Sequence, residues 1–182
     1  MKTTLSMDHR HVPVCRVVRR GWGNPLDASF SRRHGNRRWN TAAFPALYCC
    51  CSERVARAVV RDLFRAVGVE MDEIQPEYQP QLVDITWSGP VVDVSTPEGV
   101  TAAGLAADYP RGVLGEQTRE AAARWHSSGA EGVVCRSASM SRAGLVRWTG
   151  PHEAWSELVI FVDNAARKPE LLRRREDEDW LG

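Results

Sequence analysis

The stretch ALYCCCSERVARAVVRDLFRAVG, residues 46–68, settles the class of this chain. Ala46 to Cys51 is an uncharged, apolar run of strand length, the pattern of a buried strand. Ser52 then opens a helix: its side-chain oxygen suits an N-cap, and Glu53 places an acid in the first turn. Val55, Ala56, Val59, Val60, Leu63, Phe64 and Val67 recur on one helical face, with Arg54, Arg57, Arg61 and Arg65 opposite. Gly68 ends the helix. A buried strand feeding an amphipathic helix needs a sheet beside it and a second layer over it.

Working outward, the same signals recur in irregular order. Towards the N-terminus, His11 to Val18 is Val-rich and reads as a first strand. Arg19 to Trp39 is a long polar segment punctuated by Gly21, Gly23, Asn24-Pro25, Gly35 and Asn36, and connections of that length are often functional. Towards the C-terminus, Gln81 to Trp87 and Val91 to Val94 read as two strands of a hairpin turning at Ser88-Gly89-Pro90. Thr96-Pro97-Glu98 has the cap and the first-turn proline of a short helix ending near Gly104. Gly115 to Ser127 is a further helix. Gly132 to Ser137, Ala143 to Trp148 and Glu157 to Val162 are strands. Strands and helices mix without regular alternation, so the class is α+β, a single domain with a central mixed sheet flanked by helices. Residues 1–11 read as an N-terminal arm, 12–165 as the domain, and 166–182 as a charged C-terminal tail.

Composition narrows the function. With 43% apolar residues in 182, the chain can bury a core. A formal net charge of +1 disfavours a general nucleic-acid binder. The five cysteines are an odd number, three of them consecutive, and no Cys-x-x-Cys pair occurs, so neither a disulfide framework nor a zinc site is expected. No apolar run reaches membrane-spanning length and the first residues lack a signal-peptide core, which points to the cytoplasm and away from membranes.

The charge is unevenly spread. Residues 10–38 hold eight Arg and a single acid, Asp27. Arg16 lies on an apolar strand and has two readings: an inward guanidinium that needs an anion, or an edge-strand side chain pointing to water. Arg38 precedes Trp39-Asn40, and Tyr48 lies on the buried strand. Guanidinium forks grip phosphate oxygens and an aromatic ring covers a planar base, so this set suits an anionic, planar ligand. Trp22 and Trp39 have two readings, as covers for a ligand or as plugs for the loop. Ser137, in a polar stretch from Arg136 to Ser141, reads either as a site residue or as part of a turn.

The order of these segments resembles the RES domain family. Cys15-Arg16-Val17 is similar to its first strand, Asn24-Pro25-Leu26-Asp27 to the loop that follows, and Gly35-Asn36-Arg37-Arg38-Trp39-Asn40 to its Gly-Gly-Arg-Trp/Phe-Asn signature. Phe44-Pro45-Ala46-Leu47-Tyr48 is similar to the Tyr-bearing strand, Val83-Asp84-Ile85 through Thr96-Pro97-Glu98 to its central hairpin, and Gly129 to Ala138 to the strand carrying a Ser. The resemblance implies an ADP-ribosyltransferase-like fold. It also implies a toxin of a toxin–antitoxin pair that consumes NAD by hydrolysis, phosphorolysis or ADP-ribosyl transfer, and a helix-turn-helix antitoxin as partner. It assigns NAD binding to Arg16, Arg38, Trp39, Asn40, Tyr48 and Ser137, and catalysis to Arg16, Tyr48 and Ser137, with no metal.

The chain departs from that pattern at one decisive place. The family has a Glu seven residues after the Ser that opens the first helix, and here that position is Val59. Asp62, about 60° around the helix, is the nearest carboxylate by face; Glu116 and Glu120 are further candidates. Val17 stands where an aromatic is usual and Arg37 where a Gly is usual. The resemblance therefore leaves two functions open: cleavage of the nicotinamide–ribose bond with Asp62 or another acid, or binding of a nucleotide or partner without NAD turnover.

Overall fold

The computed structural model describes residues 7–33, 37–111, 115–145, 152–175 and 180–181. In chain order the elements are β1 (Met7–Arg19), α1 (Ser29–Arg33), β2 (Ala46–Cys50), α2 (Glu53–Val67), β3 (Pro80–Val94), α3 (Pro97–Ala102), α4 (Gly115–Ser127), β4 (Gly132–Arg136), α5 (Ala138–Arg142), β5 (Ser156–Phe161) and β6 (Glu170–Arg175). The strands form one mixed sheet in the order β1-β2-β5-β4-β3-β6. The β3–β4 pair is parallel and the other pairs are antiparallel. Because β1 also pairs with β3, five strands close into a ring, and β6 adds to the other side of β3.

Alternation along each strand then divides the core. Val14 and Val18 of β1, Leu47 and Cys49 of β2, Val83, Ile85 and Trp87 of β3, Val134 of β4, and Leu158 and Ile160 of β5 pack against one another inside the ring. The opposite face carries two helix-covered clusters. One unites Val100 of α3 and Ala121, Ala122 and Trp125 of α4 with Val92, Val133, Val159 and Phe161. The other sets Val55, Ala56 and Val60 of α2 and Met140 of α5 on Cys15, Cys50 and Leu82.

Helix α2 forms for the reasons read from its sequence. Ser52 is extended (φ −152°, ψ 158°) and its hydroxyl accepts the Val55 N–H at 3.3 Å. Gly68 takes the left-handed conformation (φ 68°) that closes the helix onto the Phe64 carbonyl. The apolar stripe covers the sheet only through its first half. Val55, Ala56, Ala58 and Val60 are buried, Val59 is half-buried, and Leu63 and Val67 are 56% and 62% exposed because the helix overruns the sheet.

Three expectations are corrected. The hairpin at Ser88-Gly89-Pro90 is instead one continuous strand, β3, paired with β1 from Met7↔Val92 to Arg19↔Pro80. The strand passes through Gly89-Pro90 because β1 starts at Met7 and supplies partners for both. Gly89 is needed there: a Cβ would lie 2.4 Å from the Trp87 ring. The Pro90 carbonyl accepts the Glu131 N–H (3.0 Å), and the N–H that Pro90 lacks would point to that same side, where β4 is only beginning. Second, the expected charged tail contributes β6, because Arg173 and Arg175 reach Asp84 of β3 at 2.6 and 2.8 Å. The expected arm likewise contributes Met7 to His11 to β1. Third, the polar stretch after Ser137 is α5, and Ala143-Gly144 closes it with Gly144 at φ 66°. The remainder of the strand expected there, 146–148, lies outside the described residues.

Candidate functional site

The helix-covered face of β2, β5 and β4 gathers a group of polar side chains around Arg38. Cys50 and Cys135 both lie opposite Glu157, and Tyr48 opposite Val159, so all share one face. Arg38 reaches onto this face from the loop after α1. Its Nη2 donates to Glu157 Oε2 at 2.8 Å and lies 3.8 Å from Cys135 Sγ, while its Nη1 is buried without a partner. Burial works against the charge on Arg38, but the Glu157 carboxylate outweighs it and raises the guanidinium above its ordinary range. Burial pushes the Cys135 thiol up to about 12, so it stays protonated at neutral pH.

Trp39, Asn40 and Tyr48 seat this arginine by locking its loop. Tyr48 donates its hydroxyl to Asn40 Oδ1 and accepts the Trp39 N–H, both at 2.9 Å. Burial raises the Tyr48 pKa, so the phenol keeps its proton. The Asn40 amide donates to the Ser31 carbonyl at 2.9 Å. Trp39 is fully buried, stacked on Trp125 at 5.5 Å and edge-on to Tyr109 at 6.1 Å. Of its two readings, the plug is the one realised. The Gly35-Asn36 part of the signature lies outside the described residues.

Ser137 is fully buried and caps α5, accepting the Met140 N–H at 3.4 Å. Asp62 is held by α5: it accepts from Ser139 at 2.9 Å and from both Nε and Nη2 of Arg142. The Arg142 hydrogen bonds are the main reason its pKa falls below the usual carboxylate value. Asp62 lines a cleft of about 670 Å³ between α2 and α5, together with Arg54, Arg57, Arg61 and Arg65. Glu116 and Glu120, on α4, are not among the residues lining that cleft.

Arg16 does not join Arg38. Cys15 lies opposite Cys50, which puts Cys15 on the face of Tyr48 and turns Arg16 into the ring. There Arg16 is 9% exposed, its guanidinium lies 5.6 Å from the Trp22 ring, and its Nη2 donates to the Asp27 carbonyl at 3.5 Å. Its Nη1 is buried without a partner, and desolvation lowers its pKa. The sheet therefore separates the two arginines expected to share one pocket beside Tyr48.

Glu157 is the residue that sequence reasoning missed. Its signal was present: a lone acid within Ser156-Glu157-Leu158-Val159-Ile160-Phe161, a strand paired on both sides. A buried carboxylate in such a strand requires a cation, and Arg38 is that cation.

The comparisons agree with this architecture. The RES domain pattern matches residues 13–176, so the chain belongs to the RES domain family. The crystal structure of the M. tuberculosis MbcT–MbcA toxin–antitoxin complex contains a chain of similar fold. It is 19% identical, with a TM-score of 0.74 over 93% of this chain and 85% of that one. No curated protein matches the sequence. No helix among the described residues is long and apolar enough to cross a membrane.

Proposed function

We propose that this chain is a toxin-like RES protein that binds NAD and cleaves its nicotinamide–ribose bond, with Glu157 as the carboxylate at the reacting centre. The observation that carries the reading is the Arg38–Glu157 pair beside Tyr48, with one buried guanidinium nitrogen unpartnered. Cleavage develops positive charge on the ribose as the pyridinium leaves as neutral nicotinamide. An ionised carboxylate fixed next to that carbon stabilises the charge without reorganising. Arg38 can hold Glu157 through Nη2 while Nη1 takes a phosphate oxygen of the same substrate. The bond to Asn40 and Trp39 fixes the Tyr48 ring as one wall. Water, phosphate or a side chain is the acceptor in the family's three reactions.

The test is nicotinamide release from NAD by the purified chain. Glu157→Gln should lower turnover by about 100-fold, the scale of removing one oriented electrostatic group. Asp62→Asn should leave it within a few-fold. Equal turnover in wild type and Glu157→Gln overturns the assignment. In cells, production of the active chain should arrest growth, and a helix-turn-helix antitoxin should relieve it.

One observation favours a second reading, nucleotide binding without cleavage. Val59 leaves α2 without a carboxylate where the family has one, and Arg142 holds Asp62 in a fixed ion pair. NAD binding with no nicotinamide release, and release appearing in Val59→Glu, would establish that reading instead.

A further inference from the structure

The arginine face of α2 is more than a solvated surface. Arg54, Arg57, Arg61 and Arg65 follow one another at spacings of three, four and four residues, which stacks them along one side of the helix. They line the concave cleft of about 670 Å³ that α2 makes with α5. The two acids in that cleft are already taken. Glu53 is bound by Arg57 at 2.6 Å and by Arg175 at 2.8 Å, and Asp62 by Arg142. Arg54 lies over the Trp155 ring at 4.3 Å, and Arg61 donates only to the Leu181 carbonyl at 3.4 Å. Arg65 makes no hydrogen bond or close ion pair among the described residues and meets the Asp62 carboxylate only at longer range. Arg57 Nε is buried without a partner. Ser139, whose hydroxyl donates to Asp62, lines the opposite wall.

We propose that this cleft is a seat for a chain of linked phosphates, two or more in a row. A single phosphate would meet one or two of the four guanidiniums. A linked chain runs along the stripe and meets successive turns, which lie about 5.4 Å apart. Planar guanidinium forks take phosphate oxygens two at a time, and linked phosphates set one such anionic group directly after another along the stripe. The chain can come from free polyphosphate or from the diphosphate of a nucleotide. The proposal goes beyond the glycosidic reading and does not depend on it.

The test is calorimetric titration of the full-length protein with sodium tripolyphosphate, pyrophosphate, ADP-ribose, AMP and orthophosphate at matched ionic strength. Wild type should bind tripolyphosphate and pyrophosphate more tightly than orthophosphate. Arg65→Ala and Arg61→Ala should each weaken tripolyphosphate binding by about tenfold, the scale of one charge-assisted hydrogen bond. Arg20→Ala, an exposed arginine outside the cleft, should change it less than twofold. ADP-ribose binding with the same Arg65 dependence identifies a nucleotide source; tripolyphosphate binding alone identifies free polyphosphate. Either supports the seat, and does so even if NAD is never cleaved. Tripolyphosphate affinity unchanged in both cleft variants overturns it. So does equal affinity for a poly-Glu peptide, which would show plain charge attraction, or tighter Arg65-dependent binding of a single-stranded oligonucleotide, which would make the face a nucleic-acid contact.

Discussion

Replacing Glu157 by Gln removes the only carboxylate that Arg38 touches among the described residues. The two side chains are 22% and 12% exposed, so water reaches the guanidinium only in part. Breaking a fully buried ion pair costs about 3–5 kcal/mol, because the remaining charge stays desolvated. With the exposure seen here about 2–3 kcal/mol is expected, since the Gln amide oxygen still accepts one hydrogen bond. For a chain of 182 residues the unfolding entropy near the midpoint is about 0.4 kcal/mol/K, so Tm should fall by about 5–8 °C. Circular dichroism melts of wild type, Glu157→Leu, Arg38→Met and the double variant complete the cycle. Each single change should be clearly destabilising and the double change milder than their sum, with a coupling of about 2 kcal/mol. Additive effects, or a Glu157→Gln Tm within a degree of wild type, would refute the claim that these residues act as a desolvated pair.

Three further outcomes follow from other parts of the fold. Trp39→Ala empties the space between Trp125 and Tyr109 and should cost about 3–5 kcal/mol by urea denaturation, with loss of the near-ultraviolet signal of the Trp39–Trp125 stack. Asp62 has a folded-state pKa below its unfolded value, so the stability it adds is complete above the unfolded pKa of about 3.9 and disappears as pH falls through the folded value. Wild type should therefore lose its advantage over Asp62→Asn as the pH is taken down from neutral to below the unfolded pKa; an advantage of the same size throughout that titration would contradict the Arg142 clamp. Leu63→Lys and Val67→Lys should each change stability by less than about 0.5 kcal/mol, because both side chains lie beyond the sheet; a loss of 2 kcal/mol or more would mean that this end of α2 is packed.

What the sequence disclosed was local. Ser52, Gly68 and Thr96-Pro97 announce helix ends through short-range hydrogen bonds and fixed dihedrals, and the structure places them at those ends. The five-residue strand β2 and most of β5 were legible as short apolar runs. The missed features depend on distant partners. Gly89-Pro90 has the composition of a turn, and only the pairing with His9 and Arg10 carries the strand through it. Arg173 to Arg175 have the composition of a solvated end until Asp84 is opposite them. Arg16 alternates correctly within β1, yet alternation names two faces without saying which one lies inside a closed ring. For the same reason Arg38 could be chosen from its motif, while its carboxylate on β5, 119 residues away, could not.

Arg16 has one further consequence. Its guanidinium sits among the inward Val, Leu and Ile side chains with a long bond to one carbonyl, a tryptophan face and one nitrogen unmet. A charge so poorly compensated favours admission of water, and Trp22 and Asp27, the half-buried residues it touches, mark the rim beside it. That rim should breathe most readily. Its amides should exchange with deuterium well before those of Val83 and Ile85, the register partners of Arg16 and Val14, giving the molecule a soft rim beside a hard strand.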